Sequence, residues 1–232
     1  MSAAAPRISD PRAVPVIGTD AHLAPIAAAA LNPQALRSRL AALAARGFEP
    51  EFAGDGGRFF PDRTPTAASV LVPLVLREQG LHMLLTQRTA HLTDHAGQIS
   101  FPGGRAEPGD GSAIETALRE TEEEVGLARR HVEVIGAMPA YTTVTRYVVT
   151  PVIALVMPPF ELSLDDFEVE AAFEVPLPFL MNPAHHRRHA IELAGMQRQF
   201  LSMPWHDAEQ DREFFIWGAT AAMIRNLYRA LA

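Results

Sequence analysis

The chain has 232 residues, enough for one domain with a full core or a domain with extensions, and 48% hydrophobic against 20% charged residues describes an ordinary globule. A formal charge of −7 excludes the basic footprint of a general nucleic-acid binder and means that an anionic substrate must be held by a metal and local arginines. With no cysteine, disulfides, thiolate zinc sites and thiol nucleophiles are excluded.

The first 31 residues are rich in Ala and Pro with scattered charge, and read as a flexible arm. No basic segment there precedes an uninterrupted apolar stretch, so no signal peptide is expected and the cytoplasm is the default setting. The apolar runs 23–31 and 148–157 are too short for a membrane span. Asn32 as N-cap, Pro33 at the first helical position and Gly47 beyond the end frame a helix over 33–45. Its seam of Leu36, Leu40 and Leu43 suits either the main domain or a second copy of the chain, which makes a homodimer a candidate assembly. Residues 32–65 thus form a helical extension, closed by a loop over 54–65, and the main domain runs over 66–232.

Within that domain 69–77 and 81–88 are β-rich runs around Glu78-Gln79-Gly80, a hairpin pattern. Ser112, with Glu115 three residues on, signals the capping box of a helix that ends at Val125 before Gly126. Ile114, Leu118, Thr121 and Val125 form one mainly apolar stripe predicted to face a core. Strands follow at 132–138 and 147–156, where Pro151 predicts an edge or a bulge. A loop over 158–167 leads to 173–181, which ends in a turn or short helix. A hairpin over 187–193 and 197–203 and a helix over 220–231 close the chain. The cluster His185-His186-Arg187-Arg188-His189 reads as a solvated hairpin edge, and Phe101 and Trp217 as core aromatics.

The helix over 113–125 carries an anomaly. Glu120, Glu122, Glu123 and Glu124 crowd its C-terminal end, where the macrodipole is already negative and each misplaced carboxylate costs ~0.3–1 kcal/mol. A bound divalent cation removes the conflict, and an all-oxygen ligand set suits Mg²⁺ or Mn²⁺. Glu120 and Glu124 share one helix face and are the first candidate ligands, with Glu123 next. Arg119, one turn before Glu123, can hold that carboxylate in place. Gly103 and Gly104, just before the helix, let backbone approach metal and phosphate without a Cβ in the way.

Gly104, Asp110 and Arg119-Glu120-Thr121-Glu122-Glu123-Glu124-Val125-Gly126-Leu127 resemble the Nudix box, with Thr121 in place of an aliphatic residue and one extra residue between Asp110 and Arg119. The resemblance implies an α/β/α sandwich with a mixed β-sheet, and Mg²⁺-dependent hydrolysis of nucleoside diphosphates linked to another moiety. It also implies the Gly104 carbonyl as a further metal ligand. Upstream, Leu84-Leu85-Thr86-Gln87-Arg88 and the run from His95 through Phe101-Pro102-Gly103-Gly104 are similar to the signature of the coenzyme A pyrophosphatase branch, except that Thr93 stands where that branch has Arg. That branch implies coenzyme A or an acyl derivative as substrate; ADP-ribose, NADH or another dinucleotide is the alternative, and a nucleotide sensor without catalysis a third reading.

Arg88, whose planar guanidinium suits phosphate, is assigned to substrate together with His95, Gly103 and Arg105. His91 and His95 lack a third ligand and are not read as a zinc pair. For the general base, Glu120, Glu168, Glu170 and Glu174 all qualify, with Glu168 matching the acidic residue that the branch places before Phe173-Glu174-Val175-Pro176-Leu177. The catalytic set is therefore Glu120, Glu123 and Glu168.

Overall fold

Ten residues, Tyr147–Val156, explain the architecture: nearly all are apolar, with no alternation of polarity, which is the pattern of a strand buried on both faces. A computed structural model describes residues 8, 10–54, 64–91, 96–193 and 195–232. In chain order the strands are β1 (Val16–Thr19), β2 (Thr66–Arg77), β3 (Gly80–Arg88), β4 (Ile99–Ser100), β5 (Gly103–Arg105), β6 (Val132–Ala137), β7 (Tyr141–Thr142), β8 (Tyr147–Val156), β9 (Val169–Pro176), β10 (Arg187–Leu193), β11 (Met196–Asp207) and β12 (Arg212–Trp217). The helices are α1 (Pro33–Arg46), α2 (Ala113–Val125), α3 (Leu177–Leu180) and α4 (Gly218–Leu231).

The central sheet runs β4-β3-β2-β8-β6, with β5 also on β2, β7 on β8 and β9 on β3. It is mixed: β2 and β8 pair in parallel from Thr66↔Tyr147 to Val75↔Val156, while β3, β5 and β9 are antiparallel to their partners. Successive side chains go to opposite faces. Leu71, Val75, Leu84, Val152, Ala154 and Val156 pack under α2 with Ala117, Val125 and Leu127. Val72, Leu74, Met83, Leu85, Ile153 and Leu155 meet α1, α4 and the second sheet on the other side. That second sheet is antiparallel, in the order β1-β10-β11-β12. The result is the expected α/β/α sandwich.

Several local expectations change. The leucine seam of α1 packs on the domain itself, with Leu36, Leu40 and Leu43 in the shared core. Residues 10–31, expected as an arm, lie against the fold: β1 pairs with β10, and Val14, Ile26 and Leu31 are buried. On α2 the buried line is Ala117, Thr121 and Val125, while Ile114 is 41% exposed. The small Ala117 lets the helix sit close to the sheet, and Thr121 is tolerated inside because its hydroxyl donates to the Ala117 carbonyl at 2.6 Å.

Pro151 lies in β8 between two partners, at the point where β6 gives way to β7 on its non-donating side. The register irregularity is in β6, between Val134 and Gly136, and the Pro151 carbonyl accepts from Met138 N at 2.9 Å. The histidine cluster is not a solvated edge, since His186 and His189 are fully enclosed. His189 bridges the Val14 carbonyl (2.8 Å) and the Ser202 hydroxyl (2.7 Å). His186 accepts from Arg225 Nη1 at 3.2 Å and donates to the Leu180 carbonyl at 2.8 Å; burial lowers its pKa to about 4, so it is neutral. Arg225, itself 2% exposed, is neutralised by Asp20 (3.1 Å) and Glu51 (2.8 Å), both from the N-terminal stretch. Among the described residues no helix is long and apolar enough to cross a membrane.

Candidate active site

The site is built where β5 crosses β2. Val70 pairs with Gly103, Ser69 with Gly104 and Ala68 with Arg105. Gly103 has φ +147, and a Cβ there would stand 2.4 Å from the Ser69 carbonyl oxygen and 2.5 Å from Val70 Cα. Only glycine passes so close to backbone. At Gly104 a Cβ would lie 2.4 Å from Glu120 Oε2, so the second glycine clears room for a carboxylate.

The loop that follows delivers the chain to α2. Ser112 caps it, its hydroxyl accepting from Glu115 N at 3.2 Å, while the Glu115 carboxylate reaches back to Gly111 N. Asp110 accepts from Arg119 Nε and Nη2 (3.0 Å each), Glu107 N (2.9 Å) and the Thr116 hydroxyl (2.9 Å). These bonds, Arg119 first, hold its carboxyl well below the usual carboxylate range. Arg119 also reaches Glu120 (3.0 Å), Glu123 (2.9 Å) and the Arg105 carbonyl (3.1 Å), fastening loop, turn and helix together.

Deeper in the site, Glu124 is 5% exposed and accepts from Gly103 N at 3.0 Å. Burial pushes its pKa up to about 7; the Gly103 N–H and Arg88 oppose the rise, and the carboxylates of Glu168 and Glu120 add to it. Glu120 is raised too, by burial first, against the pull of Arg119 and with Glu123 and Glu168 adding repulsion. Arg88, at the end of β3, stands 3.6 Å from Glu124 and 3.7 Å from Glu168, ion pairs too long for hydrogen bonds. Glu120, Glu124 and Glu168 therefore share one site in which Arg88 is only loosely held and Arg119, the other guanidinium, is already divided among Asp110, Glu120 and Glu123. Such a surplus of negative charge is the electrostatic complement of a divalent cation.

Among the described residues no three acidic or histidine side chains already stand together as a ligand set. Glu120 and Glu123 lean towards Arg119, and Glu124 towards Gly103 N. The oxygen-only donors, and a glycine at 104 that leaves room for the Glu120 carboxylate, fit a hard cation.

Of the residues singled out in the sequence, Arg88, Gly103, Gly104, Glu120, Glu124 and Glu168 come together. The Glu123 side chain is 60% exposed on the far side of Arg119. Arg105 contributes its carbonyl to Arg119, and its side chain is exposed. His95 and Thr93 lie outside the described residues. Of the remaining base candidates, Glu170 is paired with Arg212 (2.8 Å) and Glu174 with Arg77 (2.6 and 3.0 Å). Sequence reasoning missed the clamp of Asp110 on Arg119, which closes across a loop. It also missed the strap over the end of α2, where Ser163 N and Asp165 N donate to the carbonyls of Val125 and Glu124 at 2.9 Å each.

A family model described as the NUDIX domain matches residues 65–193, more than half of the chain. NudL, an uncharacterized Nudix hydrolase of Escherichia coli K12, is 43% identical over 161 residues, covering 69% of this chain and 80% of NudL. The chain belongs to the Nudix hydrolase family. The NudL of Shigella boydii serotype 4 matches over the same shares at 43% identity. Among solved structures, a MutT/nudix family protein from Enterococcus faecalis is similar at TM-score 0.42 and 17% identity, over 88% of this chain and 73% of its own. A Caenorhabditis elegans Ap4A hydrolase binary complex gives TM-score 0.42 and 21% identity, over 51% of this chain and 85% of its own.

The protein is thus a Nudix pyrophosphohydrolase, of a family that acts on nucleoside diphosphate derivatives and uses divalent cations. The Nudix match begins at the N-terminal end of β2 and takes in the glycine turn, α2 and the loop bearing Glu168.

Proposed function

We propose that this Nudix hydrolase cleaves the diphosphate of coenzyme A or an acyl-coenzyme A, releasing adenosine 3′,5′-bisphosphate and 4′-phosphopantetheine or its acyl form. The observation that carries the reading is the junction of the two upstream signature segments. Leu84–Arg88 lies in β3, and β4 pairs with it through Thr86↔Ser100 and Gln87↔Ile99, so Arg88 and the Phe101-Pro102-Gly103-Gly104 turn reach the same carboxylate, Glu124. ADP-ribose, NADH or another dinucleotide is the alternative substrate; nothing observed favours a sensor without catalysis.

In this reading Glu120, Glu124 and the Gly104 carbonyl would hold the cation, Mg²⁺ or Mn²⁺, with Glu123 kept near by Arg119. Such a cation neutralises charge on phosphate oxygens and lowers the pKa of water beside it. Arg88, bound only loosely to Glu124 and Glu168, turns to a phosphate oxygen. Glu168, 42% exposed on the same side, takes the proton of the attacking water. The water oxygen bonds to phosphorus, the anhydride P–O bond breaks, and the leaving phosphate departs as a monoester.

The test is chromatographic product analysis with coenzyme A, dephospho-coenzyme A, ADP-ribose and NADH in Mg²⁺ or Mn²⁺. Coenzyme A should turn over fastest, with a high KM because Thr93 replaces an arginine. Thr93→Arg should lower that KM by roughly one to two powers of ten, the worth of one charge-assisted hydrogen bond. Glu124→Gln should lose ~10²–10⁴ in rate while staying folded. If the wild type prefers ADP-ribose and Thr93→Arg changes nothing, the coenzyme A reading fails.

A further inference from the structure

Phe167 is the most exposed large hydrophobic side chain among the described residues, at 65%. It is not at a loose tip. Its carbonyl accepts from the Thr89 hydroxyl at 2.8 Å, and its N–H donates to Asp165 Oδ1 at 2.9 Å. The next residue, Glu168, accepts from Thr89 N at 3.0 Å. Asp165 is itself tied to the helix that carries the acidic cluster, its N–H donating to the Glu124 carbonyl at 2.9 Å. Thr89 follows Arg88 directly and is buried. The backbone under Phe167 is therefore fastened to both walls of the site while its ring is left in water. The imidazole of His91 supports the ring from one side, at 4.9 Å between centroids and tilted 59°.

An apolar ring of this size normally recovers free energy by burial, and a rigid mount keeps this one from folding in. Its mount adjoins Glu168, which faces Arg88 at 3.7 Å, so the ring is placed to stack on something planar that arrives with a phosphate. We propose that Phe167, backed by His91, is the stacking platform for the base of the nucleoside diphosphate substrate. This extends the diphosphate-hydrolase reading by assigning where the base rests. It also separates recognition of the base, carried by Phe167, from recognition of the phosphates, carried by Arg88 and the cation. Stacking tolerates any base, since each presents a π face, so the platform favours nucleotides over base-free phosphates without selecting one sequence of atoms on the ring edge.

The experiment is equilibrium binding of AMP and of ribose 5-phosphate, which differ only by the base, to the wild type, Phe167→Ala and Phe167→Tyr in Mg²⁺. The wild type should bind AMP more tightly than ribose 5-phosphate. Phe167→Ala should weaken AMP about tenfold and leave ribose 5-phosphate unchanged, and Phe167→Tyr should restore AMP binding. The proposal is overturned if the wild type does not distinguish the two ligands, if Phe167→Ala binds AMP as the wild type does, or if both ligands weaken together, which would make Phe167 a prop for the loop. The hydrolase reading fails by a different result: AMP bound with the expected preference, but no diphosphate cleaved.

Discussion

Removing the charge of Glu124 should stabilise the metal-free protein. Its carboxyl is 5% exposed, with a pKa raised from 4.5 to about 7. For an acid so shifted, the unfolded chain loses its proton near pH 4.5 while the folded one keeps it until about 7. Stability is therefore full below pH 4.5, falls as pH rises to about 7, and stays low above. At 1.36 kcal/mol per pKa unit the loss is about 3 kcal/mol. In Glu124→Gln the amide oxygen still accepts from Gly103 N, and Arg88 retains Glu168 at 3.7 Å, so the substitution removes the titration with little else. At pH 8 in a chelator, Glu124→Gln should melt above the wild type by roughly 6–12 °C, a gap that closes towards pH 5. Adding Mg²⁺ or Mn²⁺ should raise the wild type by mass action, about 2.7 kcal/mol at a hundred times Kd, and leave the variant unmoved. Scanning calorimetry from pH 5 to 9, with and without metal, measures all of this. Wild-type and variant curves that run parallel across that range would refute the reasoning.

Two neighbouring glycines should behave in opposite ways. In Gly104→Ala the nearest neighbours of the new Cβ are all at the end of the Glu120 side chain, so the melting temperature should hold while kcat falls at least tenfold, as Glu120 is pushed aside. In Gly103→Ala the Cβ meets the Ser69 carbonyl and Val70 Cα, at a positive φ, and the fold should lose about 2 kcal/mol or more in urea unfolding. Retained activity in Gly104→Ala, or retained stability in Gly103→Ala, would count against this geometry. Asp20→Ala should cost about 3 kcal/mol, the low end for a broken buried pair, because Glu51 still faces Arg225; a loss below about 1 kcal/mol in the same assay would mean that Glu51 suffices alone.

Legibility in the sequence followed the range of the interactions. The helix α2 was bounded correctly because Ser112 and Gly126 act within one turn of its ends. β3 and β8 were readable from long apolar runs, whereas β4, β5 and β7, of two or three residues, have no period to detect. β1 escaped notice because an Ala- and Pro-rich composition says nothing of a partner such as β10, far along the chain. The histidine cluster was misread because polar side chains buried in pairs, His186 with Arg225 and His189 with Ser202, carry no mark that separates them from solvated ones. The carboxylates were conspicuous because they broke a local rule about helix ends. What relieves that break in part, the donation of Ser163 and Asp165 to the helix carbonyls, arrives from a loop beyond the reach of any window on α2.

The parallel pairing of β2 with β8 joins residues about eighty positions apart, and Arg88, Gly103, Gly104, Glu120 and Glu124 all lie on the loop that it closes. Closure of so long a loop is a slow, entropically opposed event in folding, since the ordering must come before the contacts that reward it. Without it, the Tyr147–Val156 strand, paired locally with β6 and β7, would present one long apolar edge, the form of strand most prone to self-association. The carboxylates themselves are gathered inside the enclosed loop, by the pairing of β5 with β2 and by Arg119, so the distant pairing covers an apolar edge while nearer contacts build the site.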